Sequence, residues 1–568
     1  MPDSGCSCCI FEYLGAFGID TLHGFLPSHE PLSRLPQEEF QSHENVAANL
    51  AELLNSTIAR AKIEVLPVVS AQDTRSLLNE DPPSQRRALL LLSGLASAYV
   101  WGGGADVSPR NYLPPAIAVP LYEVSCMLET CPILSHQSNC LYNWKYSALE
   151  KEARESSCRS QYPGESLCGD ESNEWILHAG EDTDRLAPCP ACYSTMSTTP
   201  FLRTKELSLT FSFTEDENER MFYLLTLEIE NIGARTLPLL EYTRRIAQKL
   251  TSSSESGAQR DECQHEEGQG RACSHVIASD KAMVAALKEV KRLIQLCQQV
   301  LLSMPRFVDP GFFYHRVRPY LSGWRNNPAL PEGVMYRGVV PLKDRFLVGG
   351  AGTETSGSQT HGKRGEETSG YGAWDDPFPD ELAEAKNNAG DSSGPTLFLS
   401  GASAAQSSLI PAIDVYLGVD HNAAGSPSQA SYEYLKAMRA YMPKGHRRFL
   451  DTLEKDLTSC EGTPIASIRE YIQRYGSDRE TMNGPEREDR KEVREAYNGC
   501  VGALLAFRKS HLGIVHLYIS SQQGQGEKGV GTAGLGGAAG GKGTGGQPPR
   551  EFLMPLQQWT AASRLATH

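Results

Sequence analysis

His511 lies on the apolar stripe of a long helical stretch, a position where a histidine is either part of a core or a ligand. From Glu492 to Gln522, apolar or small residues recur at Val493, Ala496, Cys500, Ala503, Leu504, Phe507, Ile514, Val515 and Tyr518, mostly three or four apart. That spacing is one face of an amphipathic helix. His511 falls four residues after Phe507 and three before Ile514, so its own helix carries it inward. A buried imidazole needs partners for its ring nitrogens. Two readings supply them: a core histidine bonded to a backbone carbonyl, or a neutral imidazole presented from a helix to a haem iron. The spacing is common to both.

Other chemistry-bearing strings lack the surroundings their chemistry requires. Gly524, Gly526 and Gly529 have the spacing of a dinucleotide fingerprint, but they follow a helical pattern and open none, so no helix N-terminus faces a pyrophosphate. Gly541-Lys542-Gly543 resembles the end of a phosphate-binding loop without the hydroxyl that should follow the lysine. Gly401-Ala402-Ser403-Ala404-Ala405 approaches a nucleophile elbow but ends in alanine within helical surroundings. Cys158, Cys168, Cys189 and Cys192, with His178 nearby, contain one CxxC pair, and the other two cysteines are too widely spaced for a zinc site.

The chain has 54 Lys and Arg against 69 Asp and Glu, a net charge of −15. Its long-range field repels phosphate, so neither nucleic acid nor an anionic membrane is an expected partner. Fifteen cysteines at irregular spacing point to reduced thiols and a cytoplasmic location. The start, from Met1 to Tyr13, lacks a basic region followed by an apolar one, so no secretory signal is expected. The most apolar run, Ala88 to Trp101, is too short to span a bilayer.

The elements that must position these residues read as mainly α. Helical patterns cover 44–65, 84–100, 219–250, 280–303, 404–417, 431–440 and 447–455, and a helix lies between loops in 113–144. Another helix after Phe307 ends at Ser322-Gly323. Strand patterning is confined to short runs near 205–214. Polar or glycine-rich stretches at about 145–200, 251–275, 349–396 and 523–546 read as insertions, the last three disordered, and 474–491 is a further charged one.

Four segments carry a family resemblance: 312–333 with its Ser322-Gly323-Trp324 turn, 399–418 with Ser403-Ala404-Ala405-Gln406-Ser407-Ser408, 439–450 with Tyr441-Met442-Pro443, and the stretch from Arg508 to Ile519. In this order they resemble the indoleamine 2,3-dioxygenase family, as a fungal-type member with insertions. The resemblance implies two domains after a tail at 1–22: a small N-terminal domain over 23–205 capping a large all-α haem-binding domain over 206–568. It implies haem b as cofactor, and opening of the indole C2–C3 bond of L-tryptophan by dioxygen to give N-formylkynurenine, the first step of the kynurenine pathway. An electron donor would keep the iron ferrous, and a monomer is expected.

Carried over residue by residue, His511 matches the proximal iron ligand, and Arg508 and Asp414 a pair near a haem propionate. Ser403 and Ala404 match residues along the cofactor. Arg318 matches the arginine that clamps the substrate carboxylate, with Phe313 and Tyr314 as its aromatic neighbours. Phe222 matches an aromatic against the indole, Thr226 a small distal residue, and Thr544 the threonine of a mobile loop. His136 stands where mammalian members carry tyrosine in the pocket wall, Asn139 replaces a cysteine and Ala402 a glycine. These departures keep open the alternative of a haem-binding sensor or interaction protein with little tryptophan turnover.

Overall fold

The computed structural model describes residues 10–20, 22–103, 107–148, 150, 201–255, 274–341, 394–421, 429–458, 467–477, 485–522 and 542–566. The mainly α reading holds, with five short strands among the described residues. Helix α1 (Ile10–Gly15) lies within the expected N-terminal tail, yet buries Ile10, Phe11 and Leu14. Tyr13 and Phe17 meet Phe449 edge-on, with ring centroids 6.3 and 5.5 Å apart.

The single helix expected over 44–65 is three: α2 (Gln41–Ala48), α3 (Leu50–Asn55) and α4 (Ala59–Glu64). Thr57, at φ +59°, occupies the left-handed region and stops the run before α4. Helix α5 (Ala71–Leu78) starts at Ser70, whose hydroxyl accepts from the Asp73 N–H at 3.1 Å. Helix α6 (Pro82–Trp101) has Asp81 as its cap and prolines in its first turn, and is buried along most of its length. No helix among the described residues is long and apolar enough to cross a membrane.

Strand β1 (Tyr112–Leu113) leads into α7 (Pro115–Met127), and β2 (Lys145–Tyr146) pairs antiparallel with β3 (Leu207–Ser208). The cysteine-bearing segment between β2 and β3, with Cys158, Cys168, His178, Cys189 and Cys192, lies outside the described residues. Helices α8 (Glu217–Ala234) and α9 (Thr236–Glu255) divide what periodicity predicts as one. Pro238, third in α9, has no N–H and its ring displaces the carbonyl four residues back, so α8 cannot continue through it.

Helix α10 (Ser274–Ser303) follows, then α11, built from Pro310–Phe312, a π turn Phe313–Val317 and Arg318–Leu321. Pro319 offers no N–H to the His315 carbonyl, and the turn before it widens. Strand β4 (Val334–Tyr336) lies between β1, its parallel partner, and β5 (Thr396–Leu397), its antiparallel one. Helices α12 (Leu409–Tyr416), α13 (Gln429–Met438), α14 (Lys444–Thr458), α15 (Ile468–Ser477), α16 (Pro485–Tyr518) and α17 (Pro549–Ala562) complete the chain. Residues 485–491, expected in a charged insertion, are the first turns of α16.

Two apolar clusters result. One gathers Leu26 to Leu227 and adds Met304, Phe313, Trp324, Tyr336, Leu399 and Tyr518, so it extends past residue 205. The other joins α1 to α9, α10, α12 and α14–α17. Helix α8 serves both, with Leu224 and Leu227 in the first and Ile229 and Ile232 in the second.

Candidate active site

Residues of both clusters line a cavity of about 340 Å³, a volume suited to a small molecule. Helix α8 contributes Phe222, Thr226 and Glu230, successive i, i+4 positions of one face. Helix α16 contributes Phe507, Arg508, His511, Ile514, Val515 and Tyr518, and α11 contributes Phe313. The turn around 136–140 adds His136, Asn139 and Cys140. Ala402, Ser403, Ala404, Ala405 and Ser407 form another side, and Thr544 closes near them.

Two glycines place the 402–407 segment. A Cβ on Gly323 would lie 2.2 Å from the Gly401 nitrogen, so the two backbones cross where only glycine fits. Around the crossing, Trp324 N and Arg325 N donate to the Leu399 carbonyl at 2.9 Å, and Ala402 N donates to Leu321 O at 3.0 Å. Ser403 Oγ then accepts from the Ala405 N–H at 3.3 Å as the cap of a short turn. This hydroxyl serves the backbone and is no nucleophile elbow.

His511 faces the cavity, and neither ring nitrogen has a hydrogen-bond partner among the described residues. The core-histidine reading, which requires a backbone carbonyl, therefore loses its partner. Burial first, and the Arg508 charge second, push the imidazole pKa down to about 4. The ring is neutral at physiological pH and carries a lone pair free for a metal. His446 is off the cavity wall, with Nδ1 3.4 Å from Ser408 Oγ and its ring 4.7 Å from that of Phe25. His516 is exposed.

One turn before His511, Arg508 grips Asp414: Nη1 donates to Oδ1 at 2.9 Å and Nη2 to Oδ2. Arg508 Nη1 also donates to Thr560 Oγ1 on α17. His421 Nε2 stands 3.3 Å from Asp414 Oδ2, off the line for a hydrogen bond. Burial works against the Asp414 charge, but Arg508 and His421 outweigh it and hold the carboxyl below the usual range. An imidazole with no partner among the described residues, in a mostly apolar cavity and one turn from an arginine paired with Asp414, is a donor set that fits a haem.

Elsewhere on the wall Phe222 and Phe313 face one another, with ring centroids 4.5 Å apart and planes inclined by 39°. The Thr226 hydroxyl donates back to the Phe222 carbonyl at 2.9 Å. Arg318 and Tyr314 are not on the cavity wall. The Arg318 guanidinium is buried over the Tyr314 ring, 5.0 Å from its centroid, and Nη2 donates to the Lys542 carbonyl at 2.6 Å. Arg318 Nε is buried with no partner among the described residues. Burial lowers the Arg318 pKa, opposed by Tyr314. Thr544, two residues beyond Lys542, donates to the Ala402 carbonyl. The segment 542–546, expected inside a glycine-rich insertion, thus separates Arg318 from the cavity.

Sequence reasoning did not single out Glu230 or His421. Glu230 Oε1 accepts from His136 Nε2 at 3.0 Å and from Ser407 Oγ at 2.6 Å. The signal for Glu230 was its helical spacing, four after Thr226 and eight after Phe222. Among the described residues no group of three His, Cys, Asp or Glu could hold a metal ion.

The chain matches the family model described as indoleamine 2,3-dioxygenase over residues 13–177, 191–360 and 384–562. It is 26% identical over 512 residues to the indoleamine 2,3-dioxygenase of Saccharomyces cerevisiae, covering 89% of this chain and 80% of that one. Indoleamine 2,3-dioxygenase 1 of Rattus norvegicus is 26% identical over 506 residues, covering 89% and 84%. Indoleamine 2,3-dioxygenase qulI of Penicillium citrinum is 26% identical over 517 residues, covering 90% and 80%.

Proposed function

The chain belongs to the indoleamine 2,3-dioxygenase family, oxidoreductases by name, and from that premise we propose that it opens the indole C2–C3 bond of L-tryptophan with dioxygen, giving N-formylkynurenine. The observation that carries this reading is His511, a neutral imidazole with no hydrogen-bond partner among the described residues, facing a mostly apolar cavity one turn from the Arg508–Asp414 pair. When bound, haem b would supply the activation of dioxygen.

The chain's own residues supply the rest. His511 would hold the iron through its ring nitrogen. Arg508 would meet a propionate with the part of its guanidinium edge that Asp414 does not use, and Ser403 and Ala404 would line the cofactor. Phe222 and Phe313, packed on each other, would together rest against the indole and exclude water. Arg318 would take the substrate carboxylate, in the way a buried guanidinium recognises an anion. For that, the Lys542 carbonyl must give way, with Thr544 moving on the same segment. The reading includes a reductant that keeps the iron ferrous, a place at the head of the kynurenine pathway, a cytoplasmic setting, and a monomer with a small domain over 23–205.

Arg318 being tied to Lys542 and set back from the cavity favours one rival, a haem-binding protein with little turnover. The test is direct. Haem-loaded protein given tryptophan, ascorbate and a redox mediator should form N-formylkynurenine with oxygen drawn from O2. Full haem occupancy without product over hours would establish the rival.

A further inference from the structure

The cavity wall is mostly apolar, and at one of its polar corners His136 and Glu230 meet. Glu230 is 4% exposed and His136 5%, and both line the cavity beside Asn139. Glu230 Oε1 accepts two hydrogen bonds, from His136 Nε2 and from Ser407 Oγ. A carboxylate oxygen that accepts from a ring nitrogen requires the hydrogen on that nitrogen. In an uncharged His136 ring this contact places the hydrogen on Nε2 and leaves the lone pair on Nδ1.

Nδ1 has no hydrogen-bond partner among the described residues. The ring cannot swing away to find one, because the His136 backbone N–H donates to Gln406 Oε1 at 2.9 Å and its Nε2 is anchored on α8. The Ser407 hydroxyl, a second donor to the same oxygen, keeps the Glu230 carboxylate from turning. A lone acceptor kept fixed in an apolar wall costs desolvation unless a bound molecule brings it a donor.

We propose that His136, oriented by Glu230 and Ser407, is a specificity-determining residue that accepts a hydrogen bond from an N–H or O–H group on the indole nucleus of the substrate. The inference rests on the indole reading above. Glu230 and Ser407 are positioning residues: they set the tautomer and do not touch the substrate. Two sources could bring the donor, the ring N–H of tryptophan itself or a hydroxyl on its benzene ring. Because a site built to receive a donor rejects an analogue without one, the consequence is selectivity within a set of nearly isosteric indoles.

Two matched pairs separate the sources: tryptophan against 1-methyltryptophan, and 5-hydroxytryptophan against 5-fluorotryptophan. Dissociation constants are measured on the ferric holoprotein by calorimetry, without turnover, for wild type, His136→Phe and His136→Leu. The haem spectrum and far-UV circular dichroism report folding of each variant. In wild type the donor-bearing member of one pair should bind about tenfold more tightly than its match, and either variant should bring that ratio to within about twofold of unity. The pair that responds identifies the source. Ratios the same in wild type and in a folded variant for both pairs would overturn the proposal, as would no binding of any of the four. N-formylkynurenine is assayed in parallel: altered ratios without product reject the dioxygenase reading alone, and product with unaltered ratios rejects this subsite alone. Ser407→Ala, which frees Glu230 to turn, should weaken the selected ratio while leaving the 1-methyl or fluoro member of the pair unaffected.

Discussion

The ligand proposal for His511 rests on two observations: its helix turns it inward, and its ring nitrogens have no hydrogen-bond partner among the described residues. Replacing it tests the assignment without disturbing α16, since alanine favours a helix. His511→Ala should lose stable haem incorporation while retaining the far-UV helical signal. Full haem occupancy with an unchanged ferrous spectrum would move the ligand elsewhere. Arg318 is the second residue with a sharp expectation. Truncating one side of a charge pair in a dry pocket costs about 2–5 kcal/mol, so Arg318→Ala should lower kcat/KM for tryptophan by roughly 30- to several-thousand-fold. Lysine should rescue only in part, since it lacks the planar fork. Tryptamine, which has no carboxylate, is the control: wild type should handle it poorly and Arg318→Ala should add little further loss. Equal losses with both substrates would mean that Arg318 supports the fold through Lys542 and Tyr314.

At the scale of elements, the cavity depends on a crossing of two backbones and on the break between two helices. Gly323 has no room for a side chain: a Cβ there would meet Gly401 N at 2.2 Å and Leu399 O at 2.5 Å. Backbone atoms cannot step aside as a side chain can. Gly323→Ala should cost about 2–3 kcal/mol and displace the 402–407 segment, weakening haem binding as well as lowering the urea midpoint. Gly513, in the exposed part of α16, is the contrasting case, with nothing within 4 Å of its added Cβ. There alanine should stabilise by up to about 1 kcal/mol. A Gly323→Ala protein as stable as wild type would show that the crossing yields more readily than its geometry implies. At the end of α8 a Cβ on Gly233 would lie 2.3 Å from Leu409 Cδ2, a side-chain atom that can step aside, so this contact between α8 and α12 yields more readily.

For the whole molecule, buried neutral histidines tie stability to pH. Burial first, and the Arg86 charge second, push the His446 pKa down to about 3 from its ordinary 6.5. Burial also lowers His43, against the pull of its bond to the Ala116 carbonyl and of Glu44. The unfolded chain therefore binds protons near pH 6.5 that the folded chain refuses. The stability is fully present above that pH and is lost as pH falls below it. Between pH 7.5 and 5.5, His446 alone should account for about 1 kcal/mol of lost stability. His446→Phe should flatten that part of the profile in urea titrations at the two values. Equal slopes in the two proteins would mean that His446 is protonated in the fold.

The stripe of α16, the buried α6 and the order of the family-like segments were all legible in the chain, because each rests on spacing or on strings only a few residues long. His511, Arg508 and Asp414 could be named for the same reason. What spacing cannot carry is the meeting of distant segments. Pro238 was a local signal for the end of α8 that the periodicity of 219–250 hid, and Thr57 gave none for the end of α3, because a threonine with positive φ is a product of its surroundings. The withdrawal of Arg318 behind Lys542 joins residues 224 apart in sequence, and the corner of His136 and Glu230 joins residues 94 apart. Sequence determined which residue types face inward along each helix, since periodicity alone decides that. Tertiary structure decided which of them share a cavity, because that follows from backbone crossings such as Gly323 over Gly401, where a contact between distant segments replaces any local rule.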